Sequence, residues 1–524
     1  MPSRPGLVSV GLTLALSAAA SAQMIDGTQA PNAALDGIHK SLAEEVGAGR
    51  GDWNTPGSAS FLISRDPYRA IRRGRQIFQR KFTRLEGQGP AYDDGAGDIN
   101  TTLAIGAGLA DSCAACHGRP RGSAGGGGDV VTRPDSRDAP HLFGLGLKEM
   151  LADEITGQLR QIQADAVLAA RASGQSVTRP LVAKGIDYGR VTAAPGGAVD
   201  TSQVKGVDPD LRIRPFFAHG GTISIREFVV GALNAEMGLQ AADPDLALAS
   251  AHGRVTTPSG MVLDGRLDKI EAPPVPNPAG EVDGNVSGGE IPTALVDYLE
   301  FYLLNYFKPA LYEQTGVTQR GLLTMAKIGC TSCHVADLGI DRDRRVADVE
   351  TVYDEKHAVL NGLFATATPL ADPVDDGSGQ PALKKPRLQP FLVRNIFTDF
   401  KRHDVGPAFY ERNWDGTLQK EFLTRPLWGI GTKGSYGHDG RSVNLAEVIL
   451  RHAGEAQASR DAFAALDPPR KRAVLDFLRS LVLFPPDDTA SNLDPGDPST
   501  PDFPQFGHGS IRLTALFNDP SDKE

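Results

Sequence analysis

Apolar and polar positions along this chain repeat mostly at helical spacing. Small or apolar residues at Ala70, Ile71, Gly74, Ile77, Phe78 and Phe82 share one face, and the run 145–162 shows the same period. Further helices are expected over 225–238, 291–307, 318–328, 444–452 and 468–483, the last carrying Val474, Leu475, Phe477, Leu478 and Leu481. Between them, 122–128, 177–211 and 372–386 are rich in Gly, Pro and Asp. They read as loops, with short strands in 177–211. The segment 272–290 opens Ala272-Pro-Pro-Val-Pro-Asn-Pro and reads as a linker. The fold class expected is therefore mainly α, with long loops and few short strands. The divisions expected are a leader (1–22), an arm (23–60), a first lobe (61–271), the linker (272–290), a second lobe (291–485) and an extended tail (486–524).

A length of 524 residues favours two or more lobes over a single core. The net charge of −10 argues against a nucleic-acid partner. Arg4 precedes an apolar run from Leu7 to Ala20, and Ala20-Ser-Ala22 is a small-x-small pattern ahead of Gln23. This reads as an export signal, and places the product in the periplasm; a short buried helix is the other reading. No later run reaches the roughly eighteen apolar residues of a membrane span.

All four cysteines fall in two strings, Cys113-Ala-Ala-Cys116-His117 and Cys330-Thr-Ser-Cys333-His334. Cys-x-x-Cys also suits a redox dithiol, and four cysteines could form two disulfides. A His directly after the second Cys, twice, points to covalent haem c. The cysteines would hold the porphyrin as thioethers, and His117 and His334 would bind the irons. Two cytochrome c-like haem lobes follow from this.

The chain also contains a duplication. Tyr436-Gly-His438-Asp-Gly440-Arg-Ser-Val-Asn-Leu445-Ala-Glu447 aligns with Phe217-Ala-His219-Gly-Gly221-Thr-Ile-Ser-Ile225-Arg-Glu227, with one residue inserted. In the second copy Leu445, Ile449 and His452 share a helix face, which makes His452 a candidate sixth iron ligand; a core histidine is the alternative. The matching place in the first copy is Ala232, which cannot bind iron. Ile225, Val229, Ala232 and Glu236 share a face there, so Glu236 is a candidate general acid/base at an open site. Its alternative is an ion pair with Arg212 or Arg214.

These strings resemble the bacterial di-haem cytochrome c peroxidase superfamily, and within it the di-haem oxidoreductases also called "thiol oxidoreductases". The resemblance is carried by Phe82-Thr-Arg-Leu-Glu-Gly-Gln-Gly-Pro90, both Cys-x-x-Cys-His motifs, Leu142-Phe-Gly-Leu-Gly-Leu147, Ser224 to Gly238, His403-Asp-Val-Gly406, Pro426-Leu-Trp-Gly-Ile-Gly431 and His438 to His452. It spans about 61–483. It implies a peroxidatic N-terminal haem with Glu236 on its distal side, and an electron-transfer C-terminal haem ligated by His334 and His452. It also implies a calcium ion between the lobes, with Asp138 at one ligand position. Relatives carry a tryptophan where this chain has Ala218, so electrons would pass by His219 or by direct edge contact. His219 and His141 are candidates to cap the first iron, and His438 and His403 are further candidates near the haems. The implied partners are a small electron donor of cytochrome c or cupredoxin type, and peroxide or oxygen as substrate. Three other readings compete: an oxygenase or protein-modifying oxidase on the same architecture, a pure electron carrier, and a thiol enzyme.

Overall fold

Helix Thr293–Asn305 is the axis around which the larger core is built, and every residue from Ala294 to Asn305 is buried. It packs on helices Pro67–Gln79, Ile225–Met237, Ala59–Arg65 and Leu145–Ser173. Gly74 and Gly146 permit the close crossings: a Cβ on either would collide with the Tyr298 or Leu304 carbonyl. Pattern alone places this helix at the opening of the second lobe, but its side chains join the larger core, which the segments before it build together with Leu338, Ile340, Val393, Ile396 and Trp428. A computed structural model describes residues 42–82, 86, 110–117, 128–129, 135, 137–241, 243–273, 290–306, 309–353, 363–413 and 415–482. The leader, the tail, the first half of the arm and nearly all of the linker lie outside the described residues.

Most of the expected helices form within a few residues of their expected ends, as with Ile225–Met237, Gly316–Lys327, Leu445–Arg451 and Pro468–Arg479. Leu145–Ser173 runs eleven residues past its expected end, to an αL cap at Gly174. A smaller core forms in the second half around Phe397, Phe463, Phe477 and Leu478, between helices Gly316–Lys327, Gln457–Ala464 and Pro468–Arg479.

The expectation of few strands needs correction. Of the described residues 40% are helical and 18% lie in strands, and these strands close no barrel. Among the described residues the strands form eight two-stranded ladders and one three-stranded sheet. Long loops fold back on themselves and satisfy their backbone groups locally. In the 177–211 segment, Val177–Ala183 pairs with Ile186–Ala193 through Lys184-Gly185, both at positive φ, a two-residue hairpin. Leu181, Ala183, Tyr188 and Val191 face inward from it. The expected 372–386 loop is a hairpin of Ala371–Val374 with Leu383–Pro386. Among the described residues, no helix is long and apolar enough to cross a membrane.

Candidate functional site

Both motif histidines are set in the same way. The His117 Nδ1–H donates to the Pro140 carbonyl at 2.6 Å, and the His334 Nδ1–H donates to the Phe397 carbonyl at 3.0 Å. A carbonyl only accepts, so each ring keeps a bare Nε2, the arrangement a metal-binding imidazole needs. Burial lowers the pKa of His117 and pushes His334 down to about 4, so both rings are neutral. The thiols are unlike those of a redox dithiol, whose attacking cysteine has a lowered pKa. Burial pushes Cys113 up to about 12 and Cys330 up to about 11. None of the four cysteines is in a disulfide.

His334 opens on a cavity of about 340 Å³ lined largely by aromatic and aliphatic side chains. Leu445, Val448, Ile449 and His452 line the same cavity, as helical spacing predicts. The His452 Nδ1–H donates to the Val448 carbonyl at 2.8 Å and leaves Nε2 for another partner. Burial lowers its pKa, and a charge on His452 would lower that of His334, so the two rings are neighbours.

The two repeat copies start their helices with the same device. Ser224 Oγ accepts from the Glu227 N–H at 3.1 Å, and Glu227 returns a bond from the Ser224 N–H at 3.1 Å. Asn444 accepts from the Glu447 N–H at 2.9 Å, and Glu447 accepts from the Val443 N–H at 2.9 Å. On the first-copy helix Phe228 lies edge-on to His117, with ring centroids 6.4 Å apart. Ala232 and Glu236 follow Phe228 at steps of four and so continue its face. They are half-buried, whereas Val229, Val230, Leu233 and Met237 fill the core. The Glu236 carbonyl accepts from the Ala110 N–H at 3.1 Å, which ties this helix to the chain just ahead of Cys113. Arg212 pairs with Asp153, and Arg214 with Asp208 and Asp210.

The other candidate histidines have distinct surroundings. His141 Nε2–H donates to the Trp428 carbonyl at 2.9 Å. His219 stacks on Phe217, which lines the cavity together with Ala218. His438 stacks on Phe422 at 4.0 Å and reaches Glu411 at 3.0 Å; Glu411 also holds Arg137. His403 has both ring nitrogens engaged, by Asp399 and Glu455 at 2.9 Å each. Among the described residues, Cys333, Asp399 and His403 form the one trio close enough to hold a metal ion. Its cysteine is the motif thiol and its histidine is already given to two carboxylates, so the trio is not a metal site. The Asp138 carboxylate pairs with Lys433 and accepts from Ser435 at 3.0 Å.

Pattern reading misses the cations of the cavity wall. Lys148, Arg425 and Lys433 all face the cavity. Burial, with Arg425 beside it, pushes Lys148 down to about 7, and burial lowers Arg425 as well. Lys148 lies over the Phe216 ring at 5.4 Å. Buried positive charge on an otherwise aromatic wall suits a flat apolar group with anionic edges. The propionate-bearing haem is such a group, and with the paired thiols and bare imidazole nitrogens these residues fit it. Their sequence signal is only a Lys inside an apolar helix and an Arg before Pro426.

Residues 365–481, less than a quarter of the chain, match the family model described as "Di-haem oxidoreductase, putative peroxidase". That is the group the sequence resembles, and haem is the cofactor it points to. No curated protein matches. A solved structure titled "Kuenenia stuttgartiensis Hydrazine Synthase Pressurized with 20 bar Xenon" shares 17% identity at a TM-score of 0.22. The alignment covers 37% of this chain and 57% of that one, and so loose a likeness carries no argument.

Proposed function

Taking the chain as a di-haem oxidoreductase by its family match, we propose that it is an exported, periplasmic c-type peroxidase. Electrons would enter at the His334/His452 centre and leave at the His117 centre. Cys113, Cys116, Cys330 and Cys333 would hold the two haems as thioethers. Haem iron, when bound, would supply the one-electron chemistry that peroxide reduction needs.

The carrying observation is the difference between the repeat copies. His452 lines the cavity with His334 and has Nδ1 engaged by the Val448 carbonyl, and the matching place in the first copy, on the helix whose Phe228 meets His117, is Ala232 with Glu236 one turn on. Two imidazoles close one site to substrate. The other is left with a carboxylate able to move protons. Reducing hydrogen peroxide to two waters takes two electrons and two protons, and Glu236 would pass a proton to the departing oxygen. The electrons come from a small cytochrome or cupredoxin. Calcium is left out, because Lys433 already neutralises Asp138.

Absorption and spin-resonance spectra with and without peroxide test this reading. We expect one high-spin and one low-spin haem in the half-reduced protein, with only the high-spin one responding to peroxide. Two low-spin haems indifferent to peroxide would make the protein an electron carrier.

A further inference from the structure

We propose that a hydrogen-bonded backbone path through His141 and Trp428 carries the electron between the two centres. The proposal rests on the reading above that His117 and His334 each hold a haem iron. The path starts at His117, whose Nδ1–H donates to the Pro140 carbonyl at 2.6 Å. The peptide bond leads from Pro140 into His141, whose Nε2–H donates to the Trp428 carbonyl at 2.9 Å. The chain steps back to Leu427, whose N–H donates to the Ile396 carbonyl at 3.0 Å. Ile396 is bonded to Phe397, whose carbonyl accepts from His334 Nδ1–H at 3.0 Å. Four hydrogen bonds and short covalent steps thus join one motif imidazole to the other, without a gap.

Electronic coupling falls off far more slowly along covalent and hydrogen bonds than across a van der Waals space. The path begins and ends on the proximal rings themselves. One electron leaves the His334 centre, which goes from ferrous to ferric, and arrives at the His117 centre, which goes from ferric to ferrous. No bond is made and no proton crosses. The donor named above replaces the electron.

The central link is held rigidly. The Trp428 ring packs on Gly144, which is left-handed at φ +73°, and a Cβ there would come within 2.7 Å of the ring. His141 sits edge-on to Phe143 at 5.9 Å. The Trp428 carbonyl can only accept, so the His141 Nε2–H is the donor of this link. Ala218, the buried residue of the facing loop, offers no ring as an alternative bridge.

The test uses the full haem-loaded protein and three variants: His141→Leu, His141→Gln and Trp428→Phe. Carbon monoxide flash photolysis of the half-reduced protein reads the inter-haem rate. Haem content, resting spectra and both midpoint potentials are read alongside. Leu cannot donate to the Trp428 carbonyl, and should slow the rate several-fold or more. Gln keeps a side-chain N–H and should restore most of the rate. Phe keeps the backbone carbonyl but loosens the ring packing on Gly144, so it should slow the rate less than Leu does. A wild-type rate in His141→Leu overturns the path. So does an equal slowing in Trp428→Phe, which would give the role to the indole ring, or a slowing that tracks a shifted potential. Wild-type protein with fewer than two haems would instead overturn the functional reading on which the path rests.

Discussion

In the function proposed here, the single side chain of His452 decides what one half of the molecule can do. Its Nδ1 is spent on the Val448 carbonyl and its Nε2 is not. His452→Gly should turn the second haem high-spin and slow electron delivery while both haems stay attached; an unchanged spectrum would make His452 a core histidine. Glu236→Gln should slow peroxide turnover by about a hundredfold or more, the usual scale of general acid/base help, with resting spin states unchanged. Steady-state kinetics checks this, and normal turnover would remove the proton role. His403 predicts a pH dependence. Burial opposes its charge, but hydrogen bonds with Asp399, Cys333 and Glu455 outweigh burial and hold the pKa at about 11. A histidine raised in the folded state adds stability that is full below its unfolded pKa of about 6.5, and that stability fades as pH climbs through about 11. The Tm gap between wild type and His403→Gln should therefore be wider at about pH 6 than at about pH 10. An equal gap at both would mean that His403 is uncharged.

At the scale of elements, the Glu236 helix is held by charge as much as by packing. Arg226 is fully buried and bonds Asp243 at 3.0 Å, Asp297 at 2.9 Å and Glu300 at 2.7 Å, the last two from the central helix. Arg226→Ala would leave three buried carboxylates without their cation, which costs about 3–5 kcal/mol. Denaturant midpoints read that loss; a change under about 1 kcal/mol would mean that water, or Arg50, which lies 3.2 Å from Asp297, takes over. Elements also mark the limit of what the pattern reveals. Helices 225–237 and 445–451 are legible because apolar spacing, a cap residue and a Glu three places on all agree. The Ala371–Pro386 hairpin is hidden, because Pro and Asp in its strands read as breakers and its ladder is short. The site is legible where it is local, in Cys-x-x-Cys-His and in the face ending at His452. The Pro140 and Phe397 carbonyls and the Lys148–Arg425 pair come from distant segments. A carbonyl acceptor has no side-chain signature, so no spacing rule could have found them.

For the whole molecule, the order of segments along the chain and the order of packing disagree, and the disagreement has a consequence. The Pro-rich stretch around 272–290 looks like a boundary between independent lobes, yet the helix directly after it packs on four helices that precede it, in a core that segments from both halves complete. Leu295, Leu299, Phe301 and Leu303 are each at most 3% exposed. Burying such side chains stabilises by about 1.5–3 kcal/mol apiece. Asp297 and Glu300 add their bonds to Arg226 across the same boundary. The halves are joined again at the candidate site, where Arg137 pairs with Glu411 at 2.6 Å and the Asp138 N–H donates to the His438 carbonyl at 2.9 Å. A protease site placed at residue 281 and cut in the native protein should therefore give two fragments that co-elute in size exclusion. They should keep the haem spectrum of the intact chain and separate only in denaturant. Fragments that part in native buffer would show that the second half carries its own complete core, and would return the boundary to the linker that the pattern first suggests.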